Sequence, residues 1–229
     1  DGYTNCFLIN SFYEFVFLIL LILGNALFFK IKINFSTLKI GSAIIYSLPI
    51  LIFLSSNILL ASRQLAIGNQ SDQQIILAVV FAVLVGFAEE YAFRGMMLGN
   101  LLSSTNKNSF FYFAAIIIQG AAFGVLHSIN LFHQSASLTI TQMVYASAIG
   151  IIFGIVYTKT SVLIVPILIH ALIDGSAFIA QPDSIIRVDM TVVPIRTTYA
   201  MIVILILIII YAALTIFLAN KKELNKLWK

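Results

Sequence analysis

Apolar stretches of roughly one bilayer crossing each, about 20 residues, recur seven times along this chain, at about 7 to 29, 38 to 60, 76 to 100, 109 to 132, 137 to 158, 161 to 180 and 198 to 219. Short polar turns such as ASRQLAIGNQSDQQ and SSTNKNS part them, and none is large enough to fold alone. The pattern predicts an all-α, polytopic transmembrane helix bundle of about seven spans, or eight if a leading helix is missing, since the chain begins at Asp1 without a methionine. Residues 1–229 are expected to form a single integral membrane domain. The fifth and sixth stretches are parted only by Thr158, Lys159 and Thr160, which predicts a tight helical hairpin.

Composition removes the soluble alternatives. At 61% hydrophobic and 10% charged residues, with a mean hydropathy of +1.04, the chain lies far from soluble domains, whose apolar share is ~45–50%. A single cysteine, Cys6, excludes an intrachain disulfide and any cysteine-based zinc site. The net charge of +4 implies no nucleic acid. Its distribution predicts orientation instead: with the first loop cytoplasmic, Lys30, Lys32, Lys39, Lys107, Lys159, Lys221, Lys222, Lys226 and Lys229 fall inside, and Arg63, Arg187 and Arg196 outside. The C-terminal KKELNKLWK tail is then cytoplasmic, facing anionic lipid headgroups. Tyr3, Tyr112, Tyr157 and Trp228 suit an interfacial aromatic belt.

Ionisable residues inside such spans are costly and mark function by default. Glu90 and Arg94, at i and i+4, share a helix face and can pair, whereas Glu89 is turned about 100° away and must face something else. His127 follows Phe123 by four residues on the fourth span, and His170 precedes Asp174 by four on the sixth. Singly, each has a plain structural explanation: a packing ion pair, or a histidine satisfied by a neighbour. Together they compose a site. A carboxylate and an imidazole sharing a water molecule can take its proton and present hydroxide to an amide carbonyl. Two histidines and a glutamate also match a zinc or other divalent-metal site by ligand type, with Glu89, His127 and His170 as the ligands, although H-E-x-x-H is absent. The metal-free arrangement is preferred. Glu14 lies outside every motif, His133 reads as interfacial, and the sequon-like Asn69-Gln70-Ser71 falls in an expected external turn.

The succession E-E-x-x-x-R (Glu89, Glu90, Arg94), F-x-x-x-H (Phe123, His127) and H-x-x-x-D (His170, Asp174), each on its own span, resembles the CAAX protease and bacteriocin-processing family of intramembrane proteases over about residues 76 to 180. The resemblance implies that Glu89 is the general base, that His127 shares its water or proton, that Glu90 and Arg94 hold the site and engage substrate or its terminal carboxylate, and that His170 and Asp174 stabilise the oxyanion. Asparagine is common at the last position, and an ionised Asp174 cannot donate a hydrogen bond. Either Asp174 is protonated, or His170 is the donor and Asp174 orients it. The resemblance further implies a peptide or lipidated protein as substrate. The preference for lysine and isoleucine points to a bacterial cell membrane, and for a bacterial member the resemblance implies peptide maturation, bacteriocin self-immunity or surface-protein handling. Two other classes fit intramembrane acids and histidines: an ion- or proton-coupled transporter, for which no repeat relates two halves of the chain, and a non-catalytic immunity or scaffold protein. Small residues, Gly120 to Ala122 with Gly124, and Ala146 to Ala148 with Gly150 and Gly154, predict close approach of the fourth, fifth and sixth spans, tight enough to bring His127 and His170 to Glu89.

Overall fold

The computed structural model describes residues 2–68, 70–103, 108–181 and 191–228, and of Ile52 the backbone alone. Asn69, Lys107, Arg187 and Lys229, to which the sequence assigns a sequon or a side of the membrane, lie outside the described residues. The elements are α1 (Gly2–Gly24), prolonged by a π-helical turn (Asn25–Phe29); α2 (Ile40–Ser47); α3 (Leu51–Ile67); α4 (Asp72–Glu90), prolonged as a π-helix (Tyr91–Leu98) into the short α5 (Gly99–Leu102); α6 (Ser109–Leu126), continued as a 3-10 helix (His127–Phe132); α7 (Ala136–Thr160); α8 (Ile164–Ala180); α9 (Ile195–Phe217); and α10 (Lys221–Leu227).

Polar side chains start several of these helices by binding amide protons that have no intrahelical partner. Ser71 and Gln74 form a reciprocal capping box at α4, Asn108 accepts from the Phe111 amide at α6, and Ser135 accepts from the Leu138 amide at α7. All seven apolar stretches are helical, and the result is a polytopic helical bundle. Five are long and apolar enough to cross a membrane as continuous helices. The second is not straight: Ile40–Ile50 and Phe53–Ile67 meet at 75°. Pro49, in the 3-10 turn Leu48–Ile50, has no amide proton to continue the α-helical ladder, and the chain bends there. The sixth, α8, has only 17 residues.

The expected hairpin of the fifth and sixth spans is corrected by the packing. Thr158 to Thr160 belong to α7, and the turn is made by Ser161, in the left-handed region at φ 55°, with Val162 and Leu163. Beyond it α8 leaves α7 and packs chiefly on α4 and α3, while α7 packs on α6 and α9. The cause is steric and lies on α4: a Cβ on Gly86 would come within 3.0 Å of the Ala171 amide nitrogen and 3.1 Å of the Ile167 carbonyl oxygen. Backbones this close make the α4–α8 seam, and α1 covers α4 from outside.

The aromatic belt also needs correction. Tyr112, Tyr157 and Trp228 are buried, at 1%, 0% and 8% exposure. The Trp228 indole N–H donates to the Thr158 carbonyl at 2.9 Å, the Tyr157 hydroxyl accepts from the Asn34 amide at 3.3 Å, and the Tyr112 hydroxyl donates to Asn225 at 2.8 Å. These rings fasten α10 and the segment before α2 onto the end of the bundle, so their polar tips are satisfied by protein.

The close approach expected from small residues is present between α6 and α7 but does not extend to the sixth span, because α8 packs chiefly on α4 and α3 instead. A Cβ on Gly120 would stand 2.5 Å from Ile151 Cγ1 and 2.9 Å from its backbone nitrogen. Gly120→Ala is therefore expected to destabilise the detergent-solubilised protein by about 1–3 kcal/mol, whereas Gly41→Ala, with nothing within 4 Å of the new methyl, should leave the unfolding midpoint unchanged or raised. Equal midpoints for the two variants in thermal unfolding would contradict this seam.

Candidate active site

The α4–α8 seam brings the two glutamates of α4 against the histidine of α8, and it treats them differently. Glu90 is wholly buried. Its Oε1 accepts from Arg94 Nη1 at 2.6 Å and from His170 Nδ1–H at 2.9 Å. Arg94 is equally buried, stands one turn on in the π-helical segment, and lays its guanidinium 4.4 Å from the Phe123 ring centre and 5.2 Å from that of Phe153. The pairing read from i,i+4 spacing is thus present, with His170 as an added partner from another helix. Glu90 Oε2 and Arg94 Nε and Nη2 have no hydrogen-bond partner among the described residues. Burial of this kind is tolerated because each charge has an opposite charge or an aromatic face beside it.

Glu89 faces away from that pair, as the helix geometry requires, and keeps 22% of its side chain exposed. Its Oε2 is 3.5 Å from His170 Nε2, and Asp174 Oδ2 is 3.4 Å from the same nitrogen. His170 therefore has Nδ1 committed to the buried glutamate and Nε2 held between two partly exposed acids. His127 opens the 3-10 helix that follows α6. Its Nδ1 lies 3.0 Å from the Phe123 carbonyl oxygen, which can only accept, so Nδ1 carries the proton and Nε2 is left as the basic nitrogen of the neutral ring.

Phe123 explains why that motif pairs a phenylalanine with the histidine. Its ring is 2% exposed and stands edge-to-face with both imidazoles, 5.1 Å from His127 and 5.7 Å from His170. The Arg94 guanidinium lies on the same ring.

One cavity of about 730 Å³ is lined at once by Glu89, His127, His170 and Asp174. A second of about 350 Å³, against α3 and α9, shares His127, His170 and Asp174 with it. Glu90 and Arg94 line neither. The expectation that they meet substrate is not matched by this geometry: they brace His170 from behind. Tyr145 and Gln142 of α7 line both cavities and Asn130 lines the larger. Sequence reasoning passed them over, because a lone tyrosine or amide on a long apolar helix carries no motif; their spacing on one α7 face was the available signal. Glu14, left unassigned by the sequence, also lines the larger cavity. His133 is exposed beyond the 3-10 helix.

Among the described residues no group of three or more His, Cys, Asp or Glu is placed to hold an ion. His170 spends one nitrogen on Glu90 and holds the other between Glu89 and Asp174, while His127 spends Nδ1 on a carbonyl.

The buried pair makes a testable demand. Arg94→Met leaves Glu90 charged and short of its main partner and is expected to cost about 3–5 kcal/mol; adding Glu90→Gln should restore much of that loss. Denaturant unfolding in detergent measures both, and a single variant as stable as the parent would show that Glu90 does not depend on Arg94.

Residues 71–176 match a family model described as Type II CAAX prenyl endopeptidase Rce1-like. No curated protein and no solved structure matches the chain. The matched segment contains Glu89, Glu90, Arg94, Phe123, His127, His170 and Asp174, every position that the ordered motifs comprise. Over residues 71–176 the chain is similar to the type II CAAX prenyl endopeptidases, and its motif order and helical architecture are consistent with the CAAX protease family.

Proposed function

We propose that the protein is an intramembrane endopeptidase that cleaves a membrane-associated peptide or protein near its terminus. The observation that carries this reading is the cavity onto which Glu89, His127, His170 and Asp174 all open, beside a buried ion pair that does not reach it. Glu89 takes a proton from a water molecule as its oxygen adds to the scissile carbonyl carbon. His127, whose Nδ1 is held by the Phe123 carbonyl, receives that proton on Nε2 and passes it to the nitrogen as the C–N bond breaks, giving a carboxylic acid and an amine. His170, doubly protonated among three carboxylates, gives Nδ1–H to Glu90 and presents Nε2–H to the developing oxyanion, with Asp174 orienting it; Tyr145 lines the same cavities and supplies a hydroxyl donor. No metal is assigned to these steps. The protein resides in a bacterial cell membrane with α10 cytoplasmic, where it serves peptide maturation or bacteriocin self-immunity. Supporting the orientation, the described lysines gather at one end of the bundle: Lys39 and Lys159 line a recess with Glu223 of α10, and Lys30 and Lys32 line another with Trp228.

Mass spectrometry of membrane and secreted peptides from cells carrying the parent protein or Glu89→Gln tests the reading. A peptide trimmed only by the parent is expected, and Glu89→Gln or His127→Ala should lower its production by about 10²-fold or more while unfolding midpoints stay near the parent's. Identical peptide profiles at equal expression would refute hydrolysis. Asp174→Asn separates the two roles open to Asp174: a protonated donor replaced by an amide keeps cleavage and extends it to higher pH, whereas loss of cleavage at every pH shows that the carboxylate is needed to orient His170.

A further inference from the structure

The two ends of the bundle differ in charge and in access, and the difference bears on where substrate comes from. At the lysine end the way to the site is closed. Trp228, Tyr157, Val162 and Leu163 are buried there, Phe35 bridges Val162, and the Asn34 side chain donates to Ser161 at 3.2 Å. The cavities that hold the site reach the other end. His127 follows the 18 residues of α6, about 27 Å along the axis from that helix's start at the lysine end. From there the larger cavity runs on past Asn130 and Gln134 to Gln181, beyond the last residue of α8. The smaller one also ends at Gln181, between Leu60 of α3 and Met201 near the start of α9. Arg63 and Arg196 are the cations of this end among the described residues. The cavity's flank is apolar as well. Phe17 of α1 on one side, and Leu126 and Ile129 on the other, line it and are 46%, 47% and 61% exposed.

We propose that the substrate is a membrane-anchored polypeptide whose cleaved segment lies on the extracytoplasmic side, entering from the face opposite the lysines and along the apolar flank between α1 and the 3-10 helix. The proposal rests on the hydrolase reading for cleavage and on the lysine asymmetry for sidedness. A polypeptide is bound after it has crossed or been inserted from outside, its apolar anchor against Phe17, Leu126 and Ile129 and its backbone amides meeting the Asn130, Gln134 and Gln142 side chains. A soluble cytoplasmic tail has no route to Glu89 past the plug formed by α10 and the α7–α8 turn.

Two measurements on the full chain in intact cells decide the matter. In a Cys6→Ser background, which removes the chain's one cysteine, single Gln181→Cys, Arg196→Cys and Lys222→Cys variants are exposed to a membrane-impermeant maleimide before and after the membrane is opened. Gln181→Cys and Arg196→Cys are expected to react in intact cells, and Lys222→Cys only after opening. Any pattern in which Gln181→Cys stays unreactive until the membrane is opened overturns the proposal, and does so without reference to catalysis. Secondly, the new termini that depend on Glu89 should map to extracytoplasmic segments of membrane-anchored chains. Termini confined to cytoplasmic segments overturn the proposal and leave the hydrolase standing; the absence of any Glu89-dependent terminus overturns the hydrolase itself, whatever the labelling shows.

Discussion

A single buried carboxylate oxygen, Glu90 Oε1, joins the two helices on which the site is built. It holds Arg94 on its own helix at 2.6 Å and His170 on α8 at 2.9 Å, with no exposed side-chain surface. In a low-dielectric interior an unpaired charge there is prohibitive, so the carboxylate, the guanidinium and the imidazole are retained or lost together. Gly86, one turn earlier, makes the arrangement reachable, because any Cβ would push α4 from the α8 backbone. Glu90 thus acts through another residue. It fixes the ring of His170 and with it the direction of Nε2.

The interior is divided into a dry side and a wet one. On the dry side Arg94 is neutralised by Glu90 and covered by Phe123 and Phe153. On the wet side Glu89 and Asp174 keep 22% and 23% of their side chains exposed and open onto the cavity with His127. Adjacent glutamates on one helix take opposite roles by this division, the inner structural and the outer chemical. The seam that brings α4 to α8 and the break that turns α6 into a 3-10 helix at His127 set the distance across the cavity. Both are backbone features and neither belongs to the reacting groups.

Much of this was legible in the sequence, and the limits have physical causes. Apolar length predicted the helices of the bundle, since lipid demands it, but not the polar α10; i,i+4 spacing predicted the Glu90–Arg94 pair and the outward turn of Glu89. The α6–α7 seam was readable from its glycines. The α4–α8 seam was not, because Gly86 is a single small residue in a long apolar run. The partner of His170 was read as Asp174, its neighbour on the helix; its closest contact is Glu90, 80 residues away, and only packing could supply it. The bend at Pro49 changes direction without changing hydropathy. The buried Tyr157 and Trp228 look, in sequence, like any aromatic residues near a span end, and it is the folding back of α10 that covers them.

A double-mutant cycle between Glu90 and His170 tests this account most directly. Unfolding free energies of the parent, Glu90→Gln, His170→Phe and the double variant, in the same detergent, give the coupling across the seam. The account predicts that the double variant loses less stability than the sum of the single losses, by about 0.5–3 kcal/mol, and that Glu90→Gln alone lowers cleavage although it does not line the cavity. Additive losses, with cleavage unaffected by Glu90→Gln, would contradict it.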